Sequence, residues 1–277
     1  MSRRTFTLGA QSLALAVLSL ALSPACSTAS TDGGTSPGDT RAAATNTSSS
    51  TDAHSSSEVS GPQAHLVAFL PMQEGYGPSD QDQYEATIAP IADEHGMARV
   101  AAYTVGKFLG GTGPSQASTV GVWALDTPES MGALMSDERY QGNVVNRDRV
   151  HDMQHAAMYM THEEFSGQAP APGSAVLVGM LPMREGYGFD DHHEYEASIS
   201  EITQRHGMRL YKEYRVMKTL SPGAPEIAAI NIWVLDSPDV LGAVMQDPEY
   251  ATHIEYRDQI HDMEAMTMYF VAPRAAQ

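Results

Sequence analysis

Hydrophobic positions fall into short runs whose period switches between two and about 3.6, in the same order twice along the chain. Leu66 to Met72 is a short apolar run ending at a turn marked by Gly75 and Gly77, the pattern of a buried strand. Tyr84, Ile88, Ile91 and His95 then recur at i, i+4, i+7 and i+11, a helical stripe closed by Gly96, with Pro90 expected to kink it. In the later copy, Leu210, Lys212, Tyr214 and Val216 alternate with Arg209, Tyr211, Glu213 and Arg215, predicting a strand over 208–220 with one more polar face. Ile227 to Leu235 is a continuous apolar strand. Ser237-Pro238-Asp239 and Thr127-Pro128-Glu129 supply an N-cap, a proline at the first helical position and an acid in the first turn. The helix begun at Ser237 is expected to run on through Tyr250, Ile254, Arg257 and His261, before a strand over 263–271.

The repetition is a duplication. Ala64 to Met97 aligns with Ala175 to Met208 without gaps, with 19 of 34 positions identical. Trp123 to Tyr159 aligns with Trp233 to Tyr269, with 16 of 37 identical. Each copy reads strand, helix, strand, strand, helix, strand, which predicts a ferredoxin-like βαββαβ unit with both helices on one face of an antiparallel sheet. A single such sheet leaves its other face bare, so two must cover each other. The expected fold class is α+β: two tandem ferredoxin-like units, 64–165 and 175–272, joined by the linker 166–174 and forming an intramolecular α+β barrel pseudo-dimer.

Outside the repeats the chain changes character. Residues 1–25 read as an export signal peptide, with Arg3 and Arg4 before a mostly apolar stretch from Leu8 to Leu22. Ser2-Arg3-Arg4-Thr5-Phe6 resembles a twin-arginine signal for Tat export. Leu22-Ser23-Pro24-Ala25-Cys26 resembles a lipobox, although Ser23 stands where leucine is usual, and Ser23-x-Ala25 equally suits ordinary cleavage. Lipidation of Cys26, the only cysteine, is the preferred reading, because it removes a reactive thiol from an oxidising compartment. Residues 26–63, rich in Ser, Thr and Gly, cannot bury enough surface to offset ordering entropy and are expected to form a disordered tether. The resulting expectation is a lipoprotein of the cell envelope, periplasmic or on the outer surface, held to the membrane through Cys26.

A net charge of −18 argues against nucleic acid as a partner, since phosphate binding rests on clustered Lys and Arg. One cysteine excludes an intramolecular disulfide, a four-cysteine zinc site and a CxxC redox pair.

Asp247-Pro248-Glu249-Tyr250 followed by Arg257, after a Trp-containing strand and a Ser-Pro helix start, resembles the DUF1330-like members of the dimeric α+β barrel superfamily. Asp137-Glu138-Arg139-Tyr140 followed by Arg147 is the weaker first-copy version. The resemblance implies a barrel that relatives build as homodimers, in a superfamily that includes cofactor-free monooxygenases and haem-handling enzymes. Fold alone does not assign an activity.

Candidate chemistry lies on the last helical stripe. Arg257 and His261, with Arg147 and His151 in the first copy, stand one turn apart among apolar positions, where they would clamp a carboxylate or enolate with His261 or His151 as base. The structural alternative is dipole compensation and pairing with neighbouring Asp residues. Tyr187, Tyr195 and Tyr214 are further ligand-binding candidates. Arg184, Arg209, Lys212 and Arg215 replace Gln73, Ala98, Ala101 and Thr104 of the first copy, which favours an anionic ligand in the second. His95 and His206 read as helix caps, the methionines as core filler in place of a metal site, and His192-His193 with Glu196 as a polar helix start. No cofactor or metal is called for. The leading functional reading is a binder of a small organic molecule, with a cofactor-free or haem-assisted oxygenase or isomerase-like enzyme and a cell-envelope protein-interaction module as alternatives.

Overall fold

The computed structural model of the chain describes residues 62–171 and 173–274, so residues 1–25, read above as an export signal, and Cys26 lie outside the described residues. The first repeat contains β1 (Ala64–Pro71), α1 (Pro78–Glu94), β2 (Met97–Gly110), β3 (Ala117–Leu125), α2 (Ser130–Ser136), α3 (Glu138–Val150) and β4 (Ala157–Ser166). The second contains β5 (Ala175–Leu181), α4 (Phe189–Arg205), β6 (Met208–Thr219), β7 (Ala229–Leu235), α5 (Val240–Met245), α6 (Ile254–Ile260) and β8 (Thr267–Pro273).

The eight strands close into one antiparallel barrel in the order β1-β3-β2-β8-β5-β7-β6-β4. Four strands from each repeat stay contiguous, and the two sets meet at seams between β2 and β8 and between β4 and β6. Closure pairs the strand edges that each set would otherwise expose.

Strand alternation sorts the apolar residues into an inner and an outer core. Inside the barrel, Val67, Phe69, Val122, Tyr159, Val178, Met180, Tyr214, Ile232 and Tyr269 form one buried cluster. Tyr159 and Tyr269 hydroxyls donate to the carbonyls of Pro225 and Pro114, tying loops of opposite repeats to the filled interior. Residues of opposite parity, such as Leu177, Leu181 and Trp233, pack outward under the helices with Tyr195, Ile199, Ile202 and Tyr250. Each fully buried side chain of this size contributes about 1.5–3 kcal/mol.

Three local expectations need correction. The last helix is not continuous: α5 ends at Met245, and a 3-10 turn (Tyr250–His253) leads into α6. Pro248 has no N–H to offer a continuing helix, and Asp247 Oδ1 accepts from the N–H groups of Glu249 and Tyr250, which starts a new one. Ser237-Pro238 and Thr127-Pro128 form turns ahead of α5 and α2, with Asp239 and Glu129 at the N-caps. The simple alternation over 208–220 fails, because a bulge between Leu210 and Lys212 shifts the register. Leu210 therefore packs with the helices while Tyr214 lies inside the barrel.

Helix ends follow the sequence more closely. His95 and His206 take the C-cap positions of α1 and α4 and bind Asp137 and Asp247 through Nε2 at 2.9 and 2.6 Å. At Gly207 φ is +84°, and an added Cβ would lie 2.4 Å from Asp236 Oδ2, so glycine is required there. The helix α1 runs through Pro90 as one element.

Candidate functional site

The helical layer of the second repeat does not close fully on its sheet. Between α4, the 3-10 turn with α6, α5 and the outer face of β5, β7 and β8 lies a cavity of about 410 Å³. Its walls are mostly apolar and include Leu177, Ile199, Val244, Met266 and Met268; Leu109, Gly110 and Gly111 from the first repeat contribute to the lining.

His261 enters this cavity because the chain turns at the end of α6. The residue is extended, its N–H donates to the Arg257 carbonyl, and it bridges to Met183 beside β5. Its ring is buried, as is that of His192 on α4, and the two meet with His192 Nδ1 2.9 Å from His261 Nε2. His261 Nδ1 faces the Arg257 carbonyl at 3.2 Å and must donate to it. Nε2 therefore accepts from His192 Nδ1–H, and His192 Nε2 accepts from Asn231 Nδ2 at 3.0 Å. Both imidazoles are thus neutral, assigned from their partners, and burial lowers both pKa values, that of His261 to about 4.

Glu196 lies on the same wall. Trp233 Nε1 donates to its Oε2 at 3.3 Å, and among the described residues it has no cation partner. Burial pushes the carboxyl up to about 8, so it is protonated at neutral pH. Nearby, Tyr195 and Tyr250 share a hydroxyl hydrogen bond of 2.9 Å, and Arg257 donates through Nη1 to Tyr250. The rest of the guanidinium is held by Asp258 through Nε and Nη2.

The first repeat carries the same framework in another state. Tyr84, Glu85, Trp123, Tyr140, Arg147 and His151 line a cavity of about 130 Å³ at the corresponding place. Here Arg99 forms an ion pair with Glu85, and Gln81 Nε2 donates to Glu85 Oε1 at 2.8 Å. Arg99 stands opposite Trp123 on β3, and its counterpart opposite Trp233 on β7 is Leu210. That one exchange strips the second-repeat carboxyl of its cation. His151 Nδ1 faces the Arg147 carbonyl as His261 Nδ1 faces that of Arg257, but His151 Nε2 has no partner.

Of the residues singled out from sequence, Tyr195, Arg257 and His261 line the larger cavity, and Arg147 and His151 the smaller. Tyr214 lies inside the barrel instead, and the Tyr187 hydroxyl accepts from Gln259 Nε2; neither is among the residues of the cavity wall. The extra cations of the second copy are directed elsewhere, which removes the basis for an anionic preference. Arg209 faces Asp236, Lys212 binds Glu163, Arg215 bridges Glu164 and Asp190, and Arg184 Nε donates to the His261 carbonyl. The groups that sequence reasoning passed over are His192 and Glu196, set aside as a polar helix start. Their signal was the difference between copies: Gln81 for His192 and Arg99 for Leu210.

Among the described residues no group of three His, Cys, Asp or Glu side chains has metal-binding geometry. A haem ligated through His261 does not fit, because both ring nitrogens are engaged. His151 offers Nε2, but a cavity near 130 Å³ suits a benzene-sized group and not a macrocycle.

No protein-family model and no curated protein sequence matches the chain. Solved structures with a similar course of the chain include an anthrone oxidase-like protein, with 13% identity, a TM-score of 0.48, and coverage of 77% of this chain and 92% of that one. A mutant chlorite dismutase from Candidatus Nitrospira defluvii gives 8%, 0.46, 77% and 93%. A heme-binding protein from Thermus thermophilus gives 8%, 0.41, 76% and 91%. Identities at this level transfer no activity.

Proposed function

We propose that the second-repeat cavity binds a small, largely apolar organic molecule bearing one hydrogen-bonding oxygen, and that Glu196 exchanges a proton with it. One observation carries this reading: a carboxyl on an apolar wall whose one side-chain partner is an indole and which has no cation, where the duplicate Glu85 pairs with Arg99. Maintaining an unpaired acid in an apolar site is costly to a fold and useful to proton transfer, since its pKa lies close to operating pH. Tyr195 and Tyr250 with Arg257 provide the polar end that orients a carbonyl or phenolic oxygen. The geometry favours the oxygenase or isomerase-like alternative over simple binding, with Glu196 in place of His261 as the acid or base, because neither ring nitrogen of His261 is free in the resting state.

Two sequence expectations are kept within this proposal. The chain acts as a fused dimer of its repeats, supported by the two matching seams of the barrel. It is exported and anchored through Cys26, supported by the signal-like first 25 residues.

The test uses Trp233 as reporter, after Trp123→Phe removes the only other tryptophan. Aryl ketones and phenols should quench its fluorescence, and enolisable ketones incubated in heavy water should gain deuterium next to the carbonyl. Glu196→Gln should keep the quenching and lose the deuterium exchange. Exchange that survives Glu196→Gln would remove Glu196 from the chemistry.

A further inference from the structure

Four positions around His261 differ together between the repeats: His192, His193, Glu213 and Asn231 stand where the first has Gln81, Asp82, Ala102 and Gly121. The first repeat folds without these groups. In the second, three of the four are fully or almost fully buried, and a buried polar cluster costs solvation.

They form a continuous line from water to the cavity. His193 is exposed, and its Nδ1 lies 2.7 Å from Glu213 Oε2. Glu213 is fully buried, with Oε1 3.5 Å from His192 Nε2. His192 Nδ1 meets His261 Nε2 at 2.9 Å, and His261 lines the cavity. Glu213 Oε1 and Asn231 Oδ1, on residues directly paired across β6 and β7, both lack a donor. A hydrogen on Oε1 would give the orphaned carboxyl oxygen a donor on the side of His192, which points to a protonated Glu213.

We propose that His193, Glu213, His192 and His261 form a proton path between solvent and the cavity wall. Inward transfer begins as the Asn231 amide turns away from His192 Nε2 and the Glu213 Oε1 proton passes to that nitrogen. His192 then gives its Nδ1 proton to His261 Nε2, leaving His192 neutral and His261 an imidazolium. The Glu213 carboxylate regains a proton through Oε2 from His193, which first takes one from water, and the carboxyl and the His192 ring then turn over to restore the starting arrangement, so one proton enters and none is lost. Burial raises the Glu213 carboxyl, which agrees with its holding a proton at rest. The charged and titratable groups around the path are Glu164, Arg215 and Glu196 near Glu213, and Arg184, Tyr195, Arg257 and Asp258 near His261. The path deepens the cavity reading without depending on its ligand.

His151 is a built-in control, as buried as His261 and bonded alike through Nδ1, but with no such line behind it. The test is an NMR pH titration of ring resonances in protein labelled with ¹⁵N-histidine, without ligand. His261 should titrate in fast exchange, as one moving signal, while His151 exchanges slowly through local opening. Glu213→Gln should slow His261 by at least about tenfold, to the control's regime, and leave His151 unchanged. His193→Phe, a surface change that keeps the stack on Phe189, should do the same if Glu213→Gln fails to fold. Slow exchange of His261 in the wild type, or fast exchange surviving both variants, overturns the path. A failed deuterium-exchange test of Glu196 leaves this outcome untouched.

Discussion

Trp233 Nε1 donates to Glu196 Oε2 at 3.3 Å, the one side-chain hydrogen bond that this carboxyl makes among the described residues. An indole can hold a carboxyl in place without ionising it, because it brings a donor and no charge. The arrangement has consequences for stability, for engineering and for the meaning of the repeat.

Stability should fall with rising pH because of Glu196. The folded carboxyl keeps its proton up to about pH 8, against a reference value of 4.5. Between those values the folded state binds more protons than the unfolded one, so the contribution is complete below 4.5 and lost as pH passes through 8. Glu196→Gln should therefore gain on wild type across this window, by about 1–2 kcal/mol after allowance for partial solvent access. Thermal melts of both proteins through the window check this, and parallel curves would sink it.

Leu210→Arg should convert the second site into the first. The new guanidinium would stand opposite Trp233 as Arg99 stands opposite Trp123. The Glu196 pKa should then fall, the Glu196-dependent slope of stability against pH should shrink, and aromatic ligands should quench Trp233 less. Retained quenching with unchanged affinity would show that the carboxyl is irrelevant to the cavity.

A chain of residues 172–277 alone should dimerise or aggregate. It would leave β6 and β8 without the partners β4 and β2 and open one side of the inner core. Sedimentation velocity distinguishes these outcomes, and a stable monomer would mean that the repeats do not need each other.

Cys26→Ser should move the protein from the membrane fraction to the soluble one, since lipidation requires the thiol. Wild-type protein that is already soluble after export would replace lipidation with ordinary signal cleavage.

Much of the fold was legible because it rests on short-range rules. The duplication, the element order, and the ends of α1 and α4 at His95-Gly96 and His206-Gly207 follow from identity between copies, from apolar period and from glycine's access to positive φ. The break at Asp247-Pro248 was visible in the residues and outweighed by the longer apolar stripe. The bulge after Leu210 was not legible, because a single extra residue in a strand is set by pairing with β7.

The site divides in the same way. Sequence by itself determined that Arg257 and His261 share a turn, and that the second copy holds His192, Glu213 and Leu210 where the first holds Gln81, Ala102 and Arg99. Only the tertiary structure decided that His192 and His261, 69 positions apart, meet at 2.9 Å, and that Arg209, Lys212 and Arg215 face acids away from the cavity. Period and capping act within one element, over a few residues. The charge state of a carboxyl depends on burial and on which cation stands within a few ångströms, and both are fixed only once strand register and helix packing bring distant segments together.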